Sequence, residues 1–542
     1  MAERQSNPDA VPETARSPMM ISTPRATVRA AWLALAAAAC TPAPPATAPA
    51  PDAAPKRVRI VHTNDFHGRL LPQAVSQRAA GGSAVLAAHF DSAAARFAGP
   101  TVILSAGDDM QGTAISNLSG GRATIEAHNA AGYDAAAFGN HEFDWGQDTL
   151  AARVRDSRFP WLAANLFVAG TRGHPAWVRP WVMVERGGVR TAVIGVALQT
   201  TPEIVLEGRT AGLEFGPEAP AVDAAAREAR AAGADFVVVT AHLGAACESA
   251  GSEPEEPSAG CSGEALEMAR ALTEPVDLVV GGHSHRRVLT MAGSVPFAEA
   301  ASYSTAYSVT DLERRGGRTA VTHRSIQVPW ADQVTPDTQV ARIVAAWEAR
   351  VKPVTGRTVA TSAVAFAGRG RGEYPLGNLM ADAHRVQTGA DASLVNNGAI
   401  RRDLPAGPLS WGTMFELQPF QNALVTLRVS GAQLKSALEN AVLGAAPDAH
   451  ISGMAVTWDP AAPAGRRVRE IRLSDGRVVA DADTITLAVT EFLAGGGDRF
   501  TSLMEAPRTA TSWIDVDALI AYLQSLPQPV AAPAVGRWRT VP

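Results

Sequence analysis

Five short phrases in the first half of the chain hold most of the chemistry this sequence offers. They read Thr63-Asn64-Asp65-Phe66-His67-Gly68, Ser105-Ala106-Gly107-Asp108, Gly139-Asn140-His141-Glu142-Phe143-Asp144, Thr240-Ala241-His242-Leu243-Gly244 and Gly281-Gly282-His283-Ser284-His285. Five of the chain's 12 histidines fall in them. Mixed Asp, Asn and His donors suit borderline divalent ions such as Zn²⁺, Mn²⁺, Co²⁺ or Fe²⁺. No cysteine is among them, which sets the site apart from structural zinc of the thiolate type. Seven such side chains are more donors than one ion takes. Two ions about 3.5–4 Å apart, sharing a bridging carboxylate, use them economically, turn water into hydroxide and offset charge on a phosphoryl group under in-line attack. The chemistry is metal-assisted hydrolysis of a phosphate ester. A lone His beside a strand usually completes a core; five such phrases in series do not arise that way.

The elements that must position these side chains are legible in the residues before them. Short β-branched runs, Val58–Val61, Thr101–Leu104, Ala135–Phe138, Phe236–Val239 and Val276–Val280, precede the five phrases, and a sixth, Ala192–Val196, carries none. Between them lie polar residues and Ala-rich stretches of helical character. Continuous apolar runs of this kind are strands buried on both faces, and their alternation with helices argues an α/β fold. In open α/β sheets ligands bind at the carboxyl ends of the strands, and five ends here deliver Asp, Asn or His to that edge.

Composition narrows the class. The chain has 542 residues, is 46% hydrophobic and 19% charged, and carries a formal net charge of −5. At roughly 150 residues per domain this allows three or four compact units, or two large ones. The acidic balance supplies no field for a nucleic-acid backbone, the apolar content excludes a wholly disordered chain, and no apolar run reaches the ~20 residues of a spanning helix. Arg25 and Arg29, the apolar stretch Ala30–Ala39 and then Cys40 read as a secretory signal. A Cys after small residues resembles a bacterial lipoprotein signal, although Ala37 stands where such signals usually carry Leu. Lipidation of Cys40, with membrane attachment, and plain cleavage nearby both stay open. Residues 1–18 fit no signal, so Met19 or Met20 makes a better start, and 41–55 is a Pro/Ala tether. Cys247 and Cys261 bracket a short polar loop; after export they are expected to pair, with two independent thiols as the alternative.

In this order the motifs Asp-x-His, Gly-Asp, Gly-Asn-His-Glu, His and Gly-His-x-His resemble the signature of the calcineurin-like metallophosphoesterases. The longer strings His62–Gly68 and Gly139–Asp144 resemble one branch of them, the bacterial 5′-nucleotidase/UDP-sugar hydrolase family. The resemblance implies that one metal takes Asp65, His67, Asp108 and His285, and the other Asp108, Asn140, His242 and His283, with Asp108 bridging. It also implies that His141 is not a ligand. A His steered by a carboxylate such as Asp144 can sit over the phosphate and assist the leaving oxygen.

The second half carries no metal-ligand cluster. Val340, Ile343, Val344, Trp347 and Val351 recur at helical spacing, and Pro353 with Gly356 is expected to end that helix; a linker and an ordinary surface helix fit equally. Beyond it, Leu376-Gly377-Asn378-Leu379, Asn396-Asn397-Gly398-Ala399-Ile400-Arg401, Pro419-Phe420-Gln421-Asn422 and Phe492-Leu493-Ala494-Gly495-Gly496-Gly497-Asp498 are individually weak. In this order they resemble the substrate domain of the same family. That implies a planar group between Phe420 and Phe492, hydrogen bonds to base and ribose from Asn396, Asn422 and Asp498, and a phosphate met by Arg401. The family's further Arg, three residues before the Glu that matches Glu373, is replaced by Gly370, with Arg369 and Arg371 on either side as candidates.

The expected architecture is α/β: an N-terminal metallophosphoesterase β-sandwich flanked by helices (56–334), a linker helix (335–357) and a C-terminal α+β substrate-binding domain (358–542), after a leader and signal (1–40) and the tether. The expected function is that of an exported, monomeric periplasmic or cell-envelope phosphohydrolase with two divalent ions, acting on nucleoside 5′-phosphates and also on nucleotide-sugar diphosphates. The alternatives are a 2′,3′-cyclic nucleotide phosphodiesterase, a thiosulfohydrolase, and an inactive surface binding protein. By the resemblance, a rotation about the linker brings nucleotide and metals together.

Overall fold

The computed structural model describes residues 54–368 and 370–541. The signal, Cys40, all but the last two residues of the tether and Arg369 lie outside the described residues.

The first half is a sandwich of two six-stranded sheets. In one, Lys56–Thr63, Thr101–Ser105, Ala135–Ala137 and Trp161–Leu162 run parallel, and the hairpin Tyr307–Arg315/Arg318–Gln327 closes the edge beside Lys56–Thr63. In the other, Val189–Val196, Phe236–Ala241, Leu278–Gly281 and Val295–Ala300 run parallel between antiparallel edges. The alternation of side chains along a strand explains why the central runs are apolar throughout. Phe236 and Val238 face the other sheet, where they meet Val58, Ile60 and Leu104. Val237 and Val239 face outward, onto Val222, Ala226 and Leu266 of the helices Glu218–Ala231 and Glu264–Ala271. On the opposite outer face Val61 and Phe66 pack with Phe90 of the helix Ser83–Ala95 and Ile125 of Arg122–Ala131. The result is four layers, helix–sheet–sheet–helix.

The helix expected to link the halves spans Thr338–Thr355. Asp337 caps it through the Val340 N–H at 2.7 Å. Its Val340 and Val344 are buried in the first core, so it is a packed surface helix as well as a connection. It ends as expected, just after Pro353: Thr355 is its last residue and Gly356 its C-cap. A Pro in the last turn removes only one ladder bond, and the Gly356 N–H still reaches the Lys352 carbonyl at 2.9 Å.

The second half is α+β. Its five-stranded sheet runs in the order Ala449–Ser452, Ala392–Asn396, Thr484–Thr490, Ala423–Ser430, Arg508–Ile514. The helix Gly431–Ala441, with a capping box between Ser430 and Gln433, packs Leu434 and Leu438 against Leu394 and Leu427. The helices Pro375–Thr388 and Asp515–Ser525 enclose a separate core around Leu376, Met380 and Leu519.

Candidate active site

Five of the seven candidate donors sit on left-handed backbone. Asp65 has φ 50°, His67 51°, Asp108 56°, His283 75° and His285 57°. Non-glycine residues rarely adopt this region, and such conformations persist only where the surroundings enforce them. Here the loops enforce one another. The Asp65 N–H donates to the Gly107 carbonyl and the His67 N–H to the Asp108 carbonyl, both at 2.9 Å. Buried Glu142 accepts from the N–H groups of Asp108, Asp109 and Gly139, each at 2.8 Å. Burial, with Asp108 and Asp109 close by, pushes its carboxyl up to about 8. Gly139 is required: a Cβ there would lie 2.2 Å from Asp108 Oδ1. Asn64 donates to Asp65 Oδ2 and to the Ala301 carbonyl, both at 2.6 Å, and accepts the Ala300 N–H at 2.8 Å. Glu299 accepts from the Ala245 and Arg286 N–H groups and from Ser284 Oγ, so it holds the loops after His242 and around His285.

The donors converge with their lone pairs. His67 Nδ1 donates to the Gln111 carbonyl and His242 Nδ1 to the Ala106 carbonyl, each at 2.8 Å. A carbonyl only accepts, so each ring turns Nε2 inward. His67 Nε2 lies 3.0 Å from His285 Nε2 and 3.8 Å from Asp108 Oδ2. His285 Nε2 lies 3.2 Å from Asp65 Oδ1, a buried oxygen with no hydrogen-bond partner. His242 Nε2 is 3.3 Å from Asp108 Oδ2 and 3.1 Å from Asn140 Oδ1. Facing nitrogens and an orphaned carboxylate oxygen are what divalent cations require of a protein, and the residues present fit them. Two groups have ligand spacing: Asp65, His67 and His285, and Asp65, Asp108 and His242. Asp108 lies between His67 and His242 as a bridge must, and Asp65 belongs to both groups, so two carboxylates are central where the resemblance named one. His283 lies just outside, its ring 5.1 Å from that of His242 and its N–H on Asp65 Oδ2 at 2.9 Å.

His141 starts a single 3₁₀ turn, His141–Phe143, which brings Asp144 under its ring. His141 Nδ1 donates to Asp144 Oδ2 at 2.8 Å, and its backbone N–H donates to Asp108 Oδ1 at 2.9 Å. Burial alone would lower its pKa; the carboxylates of Asp144 and Asp108 outweigh burial and raise it. Asp144 thus fixes the ring with Nδ1–H turned to the carboxylate, beside the metal donors.

A pocket of about 300 Å³ opens next to it, lined by His141 and Asp144 from the first half and by Arg401, Phe420, Asn422 and Phe492 from the second. Arg401 reaches across the halves, Nη2 lying 3.3 Å from His67 Nε2 and Cζ 5.7 Å over the Phe420 ring. The Phe420 ring lies 5.5 Å from that of His141. Phe492 occupies space that a Cβ on Gly497 would enter, at 2.4 Å. Asn396 Nδ2 donates to Asp498 Oδ2 at 2.7 Å, and both residues also line a larger cleft of about 1240 Å³ that His283 and His285 border. Burial raises the Asp498 carboxyl, against the hydrogen bond from Asn396. Arg371 is on the wall of that larger cleft, away from the pocket. Glu373 is in neither; it accepts from the N–H groups of Gly536, Arg537 and Trp538.

Several residues at the site had no assigned role in the sequence. Asn64 and Glu142 lie inside the phrases, and that was their only mark. Glu299 and Tyr303 had none; the Tyr303 N–H donates to the Asp65 carbonyl at 2.7 Å, and its ring packs 5.2 Å from those of both His67 and His285. Arg209 and Glu491, on the pocket wall, carried no signal either. Away from the site, Cys247 and Cys261 are joined in a disulfide across the hairpin Ala246–Ser249/Ala259–Ser262.

Residues 355–505 match the family described as "5′-nucleotidase, C-terminal domain", and residues 77–288 match "Bacterial capsule synthesis protein PGA_cap". Endonuclease YhcR of Bacillus subtilis is 29% identical over 459 residues; they cover 81% of this chain but 36% of that protein, so the chain spans about a third of its length. Protein UshA of Escherichia coli is 25% identical over 516 residues, 86% of this chain and 91% of its own. The crystal structure of a 5′-nucleotidase precursor from Thermus thermophilus superimposes with a TM-score of 0.79 at 29% identity, covering 90% of this chain and 99% of that one.

Proposed function

We propose that this chain, a member of the 5′-nucleotidase family with a calcineurin-like N-terminal domain, is an exported phosphohydrolase. It releases phosphate from nucleoside 5′-monophosphates with two divalent ions. The observation that carries the reading is one pocket holding His141 and Asp144 from one half and Arg401, Phe420 and Phe492 from the other. Such ions, when bound, supply Lewis acidity, offset phosphate charge and make water nucleophilic at neutral pH. The chain's own residues do the rest. Phe420 and Phe492 hold a base by its faces, which is tolerant of base identity. The planar fork of Arg401 fixes the phosphate against the metal edge. His141, with Nδ1–H on Asp144, presents Nε2–H to the phosphoryl oxygens and the leaving O5′ and hands over its proton as the bond breaks. Closure of the two halves around the pocket keeps bulk water from the phosphate.

The larger cleft meets the pocket at His283, Asn396 and Asp498, which leaves room for a second group beyond the phosphate and supports nucleotide-sugar diphosphates as additional substrates. Two phenyl rings favour a base over the inorganic sulfur chain of a thiosulfohydrolase. Six converging donors, Asp65, His67, Asp108, Asn140, His242 and His285, with His283 beside them, favour an enzyme over an inactive binding protein. Export is supported by the signal-like N-terminal residues and by the Cys247–Cys261 disulfide, a bond of oxidising compartments. Among the described residues no helix is long and apolar enough to cross a membrane.

The test is phosphate release from AMP, GMP, UDP-glucose and 2′,3′-cyclic AMP by the full chain, after chelation and again with Mn²⁺, Co²⁺ or Zn²⁺ restored. Metal-dependent release from the monophosphates is expected. Turnover of p-nitrophenyl phosphate with no turnover of any nucleotide would overturn the substrate assignment and leave the hydrolase.

A further inference from the structure

The phenyl rings hold a base by its faces and do not choose among bases. The choice falls to polar groups at the base's edge. Beyond the phosphate-side residues, and Asn396 and Asp498 which bond each other, the pocket presents four polar side chains: Arg209, Gln421, Asn422 and Glu491. Gln421 and Asn422 carry amides, which turn over to donate or accept and suit either polarity. Arg209 only donates and Glu491 only accepts.

The Glu491 side chain and the Arg209 backbone are anchored, and neither charge is used up in an ion pair. Glu491 opens the short helix Glu491–Ala494, and its Oε1 accepts the Ala423 N–H at 3.2 Å, which ties it to the strand end carrying Phe420 and Asn422. Arg209 enters from the other half of the chain. Its backbone N–H bonds the Leu206 carbonyl and its carbonyl accepts Gln147 Nε2 at 3.2 Å, while its own Nε is buried with no partner. Among the described residues neither side chain has an ion-pair partner, and they do not pair with each other although they line the same pocket. A cation and an anion held apart in a pocket of about 300 Å³ form a template of fixed polarity.

We infer that Arg209 and Glu491 read the edge of the base and make guanine nucleotides the preferred substrates of this pocket. The inference rests on the nucleotidase reading above. Guanine presents two acceptors, O6 and N7, to a guanidinium, and two donors, N1–H and the N2 amino group, to a carboxylate. Adenine has one exocyclic donor and sets the N1 lone pair against a carboxylate. Uracil offers the carboxylate a single N–H, and cytosine a single amino group. Only guanine meets both fixed groups with paired partners.

The experiment measures kcat/KM for GMP, AMP, UMP and CMP, with p-nitrophenyl phosphate alongside, for the metal-loaded full chain and for Glu491→Gln and Arg209→Gln. Glu491→Gln keeps an acceptor for the Ala423 N–H. The expected result is a GMP preference over AMP of about tenfold or more, the scale of one bidentate edge contact, lost largely in each variant through KM for GMP. Equal kcat/KM for GMP and AMP, or a ratio unchanged in both variants, overturns the inference while leaving the nucleotidase standing. Turnover of p-nitrophenyl phosphate with none of the four nucleotides overturns both.

Discussion

The metal-binding edge and the base pocket share His283, yet they are built by different means. At the edge the donors leave strands of one sandwich, and their loops are locked by buried polar groups, Glu142, Asn64 and Glu299, each holding several partners. Left-handed backbone is tolerated there because the surroundings fix it. At the pocket the walls come from both halves of the chain. Few bonds join them: Asn117 Nδ2 to the Pro419 carbonyl at 2.9 Å, Arg401 to His67, and Glu416, which receives Arg69 from the metal loop at 3.2 Å and Arg402 from the phosphate loop at 2.5 Å. The edge is preorganised within one unit, whereas the pocket exists only while two units are together. Under the proposed function, chemistry would depend on the first region and commitment to a substrate on the second, a division typical of enzymes gated by closure.

Removing the carboxylate at the centre of the edge breaks it hardest. Asp108→Ala is expected to take turnover to background and to strip metal from the chain, read by elemental analysis of the purified protein. Full activity would show that Asp65 alone joins the two donor groups. His141→Ala comes next: a drop of about 10²–10⁴ in kcat on nucleotides with metal content unchanged, and a smaller drop on p-nitrophenyl phosphate, whose leaving group needs no proton. A loss of metal instead would move His141 from proton transfer to the support of Asp108, to which its N–H already donates.

The pocket should respond differently. Phe420→Ala with Phe492→Ala is expected to lower kcat/KM for nucleotides by about 10²-fold, from the ~1–3 kcal/mol of each base–ring stack. The small aryl phosphate should lose much less. Equal loss on both substrates would mean that the rings hold the closed arrangement and not the base, and the two regions would then be less separable than their construction implies.

What could be read beforehand follows the same division. The polar phrases were legible because each lies directly after an apolar run, in segments short enough to carry strand and side chains together; which seven of their residues are proposed as donors came from the family resemblance. The α/β alternation was legible from the same runs, since strands such as Phe236–Ala241 are apolar on both faces; that two sheets stack into a sandwich came only from the family resemblance. The left-handed turns were not, because Asp and His carry no mark of positive φ as glycine does. Glu142 stood in plain view in its phrase, but its four N–H partners, Asp108, Asp109, Met110 and Gly139, belong to two different loops. Arg209 and Glu491 come together from opposite halves of the chain, and nothing local marks either. Pro353 with Gly356 marked the end of the connecting helix, whose last residue is Thr355.

Glu373 marks where the comparison ends. The sequence resemblance sets it beside a phosphate-binding Arg, yet its carboxylate accepts from Asn378 Nδ2 at 2.6 Å and from three successive N–H groups, Gly536 to Trp538, and so clamps the C-terminal segment. Burial alone would raise its pKa, but these donors outweigh burial and hold it below the ordinary 4.5. A carboxyl depressed in the folded state adds stability that is fully present above its unfolded pKa and is lost as pH falls through the lower folded value. Glu373→Gln should therefore melt lower than the parent chain at neutral pH, and the gap should close below about pH 4.5, followed as Tm against pH. The effect is the smallest of the four, because the side chain is half exposed and solvent screens it. KM for a nucleotide should stay put. A raised KM with an unchanged Tm would instead place Glu373 in the pocket's service, and would extend the substrate region to the Arg371 wall of the larger cleft.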